Sequence, residues 1–307
     1  MKKKCLLIAL VPLLICLVLG RQAEAEDTIA VFCWTLSPQT RAVVNGLERV
    51  LDRPLPVTDA GGDYANGEIL IKQLAQKQLR LLIVLGTQAL ILTAPKIKKG
   101  LTVFAMVADP YHTGAAYNKA HPEDHQENIT GIASPPPLEE AINQTKKLFP
   151  AKRRWGLLYD PAEGPSLELK QNFAALARSA GFALTVLAVR SDTEAIAALN
   201  ELKKRDVQVV FIPPDQISQK SAPHLLTMGQ ERRFVVINGN PRVDNPGAVL
   251  SVTLNYEALG EQAARLAQRL LNGEKPGTIP IIQASPAQVE VDESLLDEWA
   301  GYPPGRQ

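Results

Sequence analysis

The 307-residue sequence has little cysteine, little net charge and no familiar catalytic motif. Cys5 and Cys16 lie in the N-terminal segment, so Cys33 stands alone in the rest of the chain and forms no internal disulfide. We expect Cys33 to be a small buried hydrophobe on a strand. The 33 Lys and Arg residues nearly balance the 32 Asp and Glu residues, which excludes the basic excess that nucleic-acid binding requires.

Motifs of catalysis are also missing. The chain has no Gly-x-Ser-x-Gly, no phosphate loop, no Gly-x-Gly-x-x-Gly, no Cys-x-x-Cys and no His-Glu-x-x-His. Together with the export signal and the two-lobe layout described below, this predicts a protein that is not an enzyme and has no catalytic residue, no cofactor and no metal.

One long apolar run is present, and it lies at the N-terminus. Three lysines precede the stretch Cys5 to Gly20, and Ala23-Glu-Ala25 then fits the small-x-small rule for cleavage. We predict a signal peptide over residues 1–25, cut before Glu26, and therefore a periplasmic or secreted protein. An uncleaved anchor is the alternative, although the run is shorter than the about 20 residues that a spanning helix needs.

The remaining chain of about 280 residues is too long for one ordinary core and suits two domains. Short apolar strands alternate with amphipathic helices, which predicts two α/β lobes with parallel sheets covered by helices. The predicted strands are 29–33, 55–57, 81–85, 102–107, 155–159, 183–189, 207–212, 234–237 and 248–252. The predicted helices are 38–51, 66–77, one starting at 87, 138–148, 166–180 and 193–204. The segments Ile69–Gln88 and Ala195–Gln216 resemble each other, either as an internal repeat or because all such units look alike.

Polar residues follow many of these strands, at the place where open parallel sheets bind ligands. The cleft between the lobes is therefore the expected site. The candidate ligand-binding residues are Trp34, Ser37, Thr87, Gln88, Asp109, Tyr159, Asp215, Asn238 and Asn255.

Each residue type has a role at such a site. The ring of Trp34 stacks on a ligand and the hydroxyl of Ser37 hydrogen-bonds to it. Thr87 is the expected N-cap of a helix whose free N–H groups attract a carboxylate, and Asp109 pairs with an ammonium group. The alternatives are structural: Trp34 in the core, Thr87 only as a cap, and Asp109 as the start of a turn before proline.

The chain resembles the ABC transporter substrate-binding family that includes tryptophan- and tyrosine-binding proteins. The similarity runs over nearly the whole mature chain and is clearest from about Val103 onward. It is carried by Val107-Ala-Asp-Pro110, Asn128-Ile-Thr-Gly-Ile-Ala-Ser134, Leu138-Glu-Glu, Trp155-Gly-Leu-Leu-Tyr-Asp-Pro161, Val207 to Asp215, Val252-Thr-Leu-Asn-Tyr-Glu-Ala-Leu-Gly260, Gly273-Glu-Lys-Pro276 and Ile279-Pro280.

The resemblance implies a type I periplasmic-binding-protein fold with several hinge crossings and a late return of the chain to the first lobe. We accordingly predict a first lobe of residues 27–133 plus about 256–282 and a second lobe of 134–255 plus about 283–307. The implied function is capture of an amino acid or similar small molecule for an ABC permease of the inner membrane, by a monomer.

Two positions depart from the family pattern. Asn255 stands where the family often has Asp, and Asn238-Gly-Asn240 stands where it often has an acidic stretch. The loss of these acids favours a ligand that is neutral, or charged differently, on the side of the second lobe.

Three other functions fit parts of the sequence. A ligand-sensing module that feeds a membrane kinase would have the same fold with a different partner. A periplasmic hydrolase would use Asp160 or Asp215. A metal carrier would use His112, His121 and His125, although Pro122 predicts a loop here rather than a helix face that binds zinc.

Overall fold

The computed structural model describes residues 29–162, 164–214, 216–231, 234–239 and 247–300. The predicted signal peptide and the candidate Asp215 lie outside these residues. None of the helices in the described ranges is both long and apolar enough to cross a membrane.

The first sheet contains six strands of the described chain, in the order β11-β5-β4-β3-β1-β2, and every neighbouring pair is parallel. Its elements are β1 (Ile29–Cys33), α1 (Pro38–Leu51), β2 (Val57–Asp59), α2 (Tyr64–Gln76), β3 (Leu81–Leu85), α3 (Thr87–Thr93), β4 (Leu101–Val107), a 3₁₀ turn (Pro110–His112) and β5 (Ile129–Ala133). The late elements α8 (Tyr256–Leu271) and β11 (Ile282–Gln283) complete it.

Both faces of the first sheet are buried, because alternate residues of each strand point to opposite sides. In β1, Val31 and Cys33 pack in the core that includes α1 and α8, whereas Phe32 packs in the core that includes α2 and α3. Cys33 is fully buried on its strand, as predicted. Burial and the nearby Asp59 carboxylate raise the pKa of the Cys33 thiol to about 12, so the thiol stays protonated and unreactive at neutral pH.

Helices α1 and α8 approach each other closely at two glycines. A Cβ atom on Gly46 would lie 2.1 Å from the carbonyl oxygen of Glu257, and one on Gly260 would lie 2.1 Å from that of Val43. Outside this contact, Arg49 forms ion pairs with Glu257 and Glu261. Helix α8 can therefore pack this closely against α1 only because these two positions have no side chain.

The second sheet has six strands in the described residues, ordered β12-β10-β9-β8-β6-β7, with β12 antiparallel to β10. Its elements are α4 (Leu138–Leu148), β6 (Arg154–Tyr159), α5 (Gly164–Ser179), β7 (Ala183–Ala188), α6 (Asp192–Lys204), β8 (Val209–Ile212), α7 (Gln216–Gln230), β9 (Val235–Asn238), β10 (Leu250–Thr253), β12 (Gln288–Val291) and α9 (Glu293–Ala300). Four rings form its core: the Trp155 ring centroid lies 5.6 Å from that of Phe173 and 5.0 Å from that of Phe182, and Phe173 stacks on Phe211 at 5.3 Å.

The architecture confirms the predicted fold class of two α/β lobes with parallel sheets. The chain passes from one sheet to the other after β5, after β10 and after β11. The residue boundaries predicted for the lobes stay a prediction.

One strand was predicted in the wrong place. The strand expected at 55–57 is β2, Val57–Asp59. The amide of Leu55 donates to the Glu48 carboxylate at 2.8 Å, and Pro56 has no N–H to donate to a neighbouring strand. The strand therefore begins at Val57.

Candidate functional site

The strands β1, β3, β4 and β5 end side by side at one edge of the first sheet. Backbone hydrogen bonds join the residues just beyond them: the amide of Trp34 donates to Leu85 at 3.2 Å and that of Gly86 to Ala105 at 3.0 Å. The amide of Ser134 donates to Val107 at 2.8 Å. The strand-end candidates of the first lobe therefore share this edge.

Trp34 and Ser37 follow β1 in different environments. Trp34 is half-buried and packs partly against the core beneath α2 and α3. Ser37 is the N-cap of α1, and its Oγ accepts from the Thr40 amide at 3.2 Å. A contact of either residue with a ligand stays a prediction.

The expected cap at Thr87 is wrong by one residue. Gly86 is the N-cap of α3, with φ of 104°, and Thr87 is the first helical residue. A residue with a Cβ is strained at this φ, which is why glycine takes the position. Thr87 and Gln88 are half-buried at the edge, and α3 is only seven residues long. We therefore draw no anion site from its N-terminus.

Asp109 lies just beyond an irregularity in β4. The pairing of β4 with β5 shifts register between Phe104 and Val107, and Met106 has a left-handed φ of 58°. Such a bulge redirects the chain that follows it. Asp109 then caps the 3₁₀ turn: its Oδ1 accepts from the Tyr111 amide at 2.8 Å, and its Oδ2 lies 3.2 Å from His112 Nδ1. The Asp109 side chain is 10% exposed and that of His112 is 81% exposed.

Most of the described strand ends of the second sheet carry neutral side chains, and Asp160, which follows β6 directly, is the exception. Tyr159 ends β6, half-buried, with Lys170 Nζ 5.1 Å from its ring centroid. Asn238 ends β9 and is 6% exposed. Asn255 is the exposed N-cap of α8, and its Oδ1 accepts from the Ala258 amide at 3.0 Å.

Glu168, which we did not predict, reaches this region from the second turn of α5. Its carboxylate, an oxygen of Asp109 and a ring nitrogen of His112 all lie within 4.8 Å of one another. Burial and then the Asp109 charge raise the pKa of Glu168, whereas His112, Lys119 and a hydrogen bond with Asn172 act in the opposite direction. The contact joins the two lobes.

Two side chains predicted for other functions have structural roles. Asp160 Oδ1 accepts from the Ala162 amide at 2.8 Å, as a residue that starts a turn does. Both ring nitrogens of the buried His125 lie within 3.0 Å of backbone carbonyl oxygens, those of Gln126 and Ile279. His125 is therefore held by backbone carbonyl groups and is not free to bind a metal, as the metal-carrier alternative would require.

A surface groove of about 230 Å³ lies elsewhere, between α4 and α5, and is lined in part by Leu176 and Ser179. At about 1.5 Å of helix per residue, Leu176 lies about 12 Å along α5 from Glu168. The groove therefore belongs to the far end of this helix and not to the strand-end edge.

Solved structures with this architecture are binding proteins and regulators. The chain superimposes on a conserved domain protein from Vibrio cholerae O1 biovar eltor with a TM-score of 0.76 and 18% identity, covering 90% of this chain and 95% of that one. An ABC domain from Streptococcus pneumonia in complex with L-Trp gives a TM-score of 0.74 and 21% identity, covering 89% and 94%. The fold is thus that of the type I periplasmic binding proteins.

Sequence comparison defines the family. The family model described as "ABC transporter substrate binding protein" matches residues 52–299, and the chain belongs to this family. A curated relative, the tyrosine-binding protein of Clostridioides difficile (strain R20291), is 21% identical over 194 residues, or 63% of this chain. The match spans 55% of that protein's length.

Proposed function

We propose that the chain is exported and captures a small molecule, such as an amino acid, between its lobes for an ABC importer. One observation carries the proposal: groups from both lobes, Asp109 with His112 and Glu168, come within 4.8 Å of one another at the edge where strands end. A solute placed here touches both lobes, so its binding favours the closed arrangement over the open one.

The relatives support the amino-acid class. One is named for tyrosine, and one was solved with L-Trp. In this chain Asp109 supplies an acid for an ammonium group, while Asn238 and Asn255 supply amides in place of acids on the other side. A permease that recognises the closed form would complete the transport step. A sensor kinase as partner would leave the same binding step unchanged.

A thermal-shift screen of the chain starting at Glu26 tests the proposal, with amino acids, nucleosides and small organic acids as probes. A solute at 100 times its Kd adds about 2.7 kcal/mol to the free energy of unfolding. We expect at least one amino acid to raise the melting temperature, and Asp109→Asn to reduce this shift. Asparagine also caps turns, so this variant removes the charge while it keeps the local fold.

Asp206→Asn is the matched control, because it replaces the same carboxylate by the same amide at the opposite end of a sheet, where the strands begin. It precedes β8 and pairs with Arg154. A solute shift that is equal in the wild type, Asp109→Asn and Asp206→Asn removes Asp109 from the site. The absence of a shift with every amino acid contradicts the proposed ligand class.

A further inference from the structure

Asp109, His112 and Glu168 form a cluster of three donor groups that comes from two elements. Asp109 and His112 belong to the 3₁₀ turn after β4, and Glu168 belongs to α5. One donor atom from each lies within 4.8 Å of the others, and Asp109 Oδ2 is 3.2 Å from His112 Nδ1.

This donor set has the chemistry of a transition-metal site. Zinc binds imidazole nitrogen and carboxylate oxygen at about 2.0–2.2 Å, which places neighbouring donors of a tetrahedral site about 3.4 Å apart. The Asp109–His112 pair already has this separation. The carboxylate of Glu168, which is partly exposed on a flexible side chain, completes the set by approaching the pair by at most about 1.4 Å.

The arrangement of the two carboxylates also favours a bound cation. The Asp109 side chain is nine-tenths buried, and a second carboxylate faces it from the other lobe, although like charges at this separation repel. The ammonium group of a solute would neutralise the acids as well, and the imidazole of His112 adds a side chain that transition metals often bind.

We propose that Asp109, His112 and Glu168 bind a divalent transition cation of the zinc class that links the two lobes. Three protein ligands leave a coordination position open for water or for a donor atom of a solute. The metal contacts both lobes and therefore favours their closure, whether or not a solute is present. Closure of the lobes by a metal ion would be a property separate from solute capture.

Titration calorimetry of ZnCl₂ into the metal-stripped chain starting at Glu26 tests the site. We expect one site, and a tenfold or larger loss of affinity in Glu168→Gln and in His112→Ala. His121→Ala is the matched control, because His121 is an exposed histidine that pairs with Glu123 alone among the described ion pairs. Its zinc affinity is expected to equal that of the wild type.

Small-angle scattering tests the link between the lobes. Zinc is expected to reduce the radius of gyration of the wild type and not that of Glu168→Gln. Wild-type affinity in Glu168→Gln would overturn the link, and an equal loss in His121→Ala would overturn the site. The solute screen is run with EDTA, so a failure of zinc binding and a failure of solute capture are seen separately.

Discussion

The two lobes bring carboxylates to the contact between them by different routes. In the first lobe an acid lies in the loop that follows a strand, where the bulge at Met106 leads the chain to Asp109. In the second lobe the described strand ends carry Tyr159 and Asn238, and the carboxylate of Asp160 accepts a hydrogen bond within its own turn. The acid that faces the first lobe, Glu168, comes from the helix that follows β6. A helix that follows a strand end thus brings an acid to the contact between the lobes, as the loop after β4 does.

The lobes also differ in how their cores are packed. The first joins an early and a late helix through backbone contact at Gly46 and Gly260. The second is filled by a stack of aromatic rings around Trp155. We therefore expect the stability of the first lobe to fall when atoms are added at these glycines, and that of the second lobe to fall when a ring is removed.

The largest effect is expected from Trp155→Ala, which empties the centre of the aromatic stack. Loss of a fully buried indole costs about 3–5 kcal/mol of unfolding free energy. Urea unfolding followed by circular dichroism measures it. Trp155→Phe is the control: it keeps a ring and removes an N–H that has no acceptor among the described residues, so most of the stability returns. Equal losses in the two variants would contradict a packing role.

A smaller effect is expected from Gly260→Ala in the first lobe. The added methyl meets the Val43 carbonyl, which belongs to backbone and cannot rotate away, so we expect a loss of about 1–3 kcal/mol. Gly67→Ala is the matched control within a helix, because its methyl meets the end of the Leu92 side chain rather than backbone. Hydrogen exchange is expected to show lost protection in the first sheet for Gly260→Ala and in the second for Trp155→Ala. The same pattern in both variants would mean that the lobes unfold as one unit.

The smallest effect concerns pH. The pKa of Glu168 is raised above its usual 4.5, so its stabilising contribution is present below that value and is lost as pH rises through the raised pKa. In EDTA, the melting temperature of Glu168→Gln should equal that of the wild type at pH 4 and exceed it at pH 7. The groups that face Glu168 are Asp109, His112, Lys119 and Asn172.

Glu123→Gln is the control of opposite sign for this pH experiment. Hydrogen bonds from backbone and from His121 lower the pKa of Glu123, so its contribution is present at neutral pH and is lost as pH falls. This variant should melt slightly lower than the wild type at pH 7. A lower melting point of Glu168→Gln at pH 7 would contradict the raised pKa.

Much of the fold follows from local patterns. The apolar runs at 29–33 and 81–85 have the same bounds as β1 and β3, because short continuous apolar runs are typical of strands that are buried on both faces. Helix α7 was not predicted, because it contains Pro223 and proline is rare inside helices. The antiparallel strand β12 also escaped prediction, because its pairing with β10 depends on a distant segment.

The site was predictable only in part. The rule that ligands bind beyond strand ends led to Asp109, which does lie in the contact between the lobes. It did not lead to Glu168, whose position depends on the rotation of α5 about its axis and on the approach of the other lobe. Neither quantity is encoded in a local stretch of sequence.

The three passages of the chain between the sheets, in the described part of the protein, have a mechanical consequence. A protease that cuts one connection leaves the halves tethered by the other two, so a nicked molecule retains its paired architecture. Three connections also limit how far the halves can separate more strictly than a single linker would.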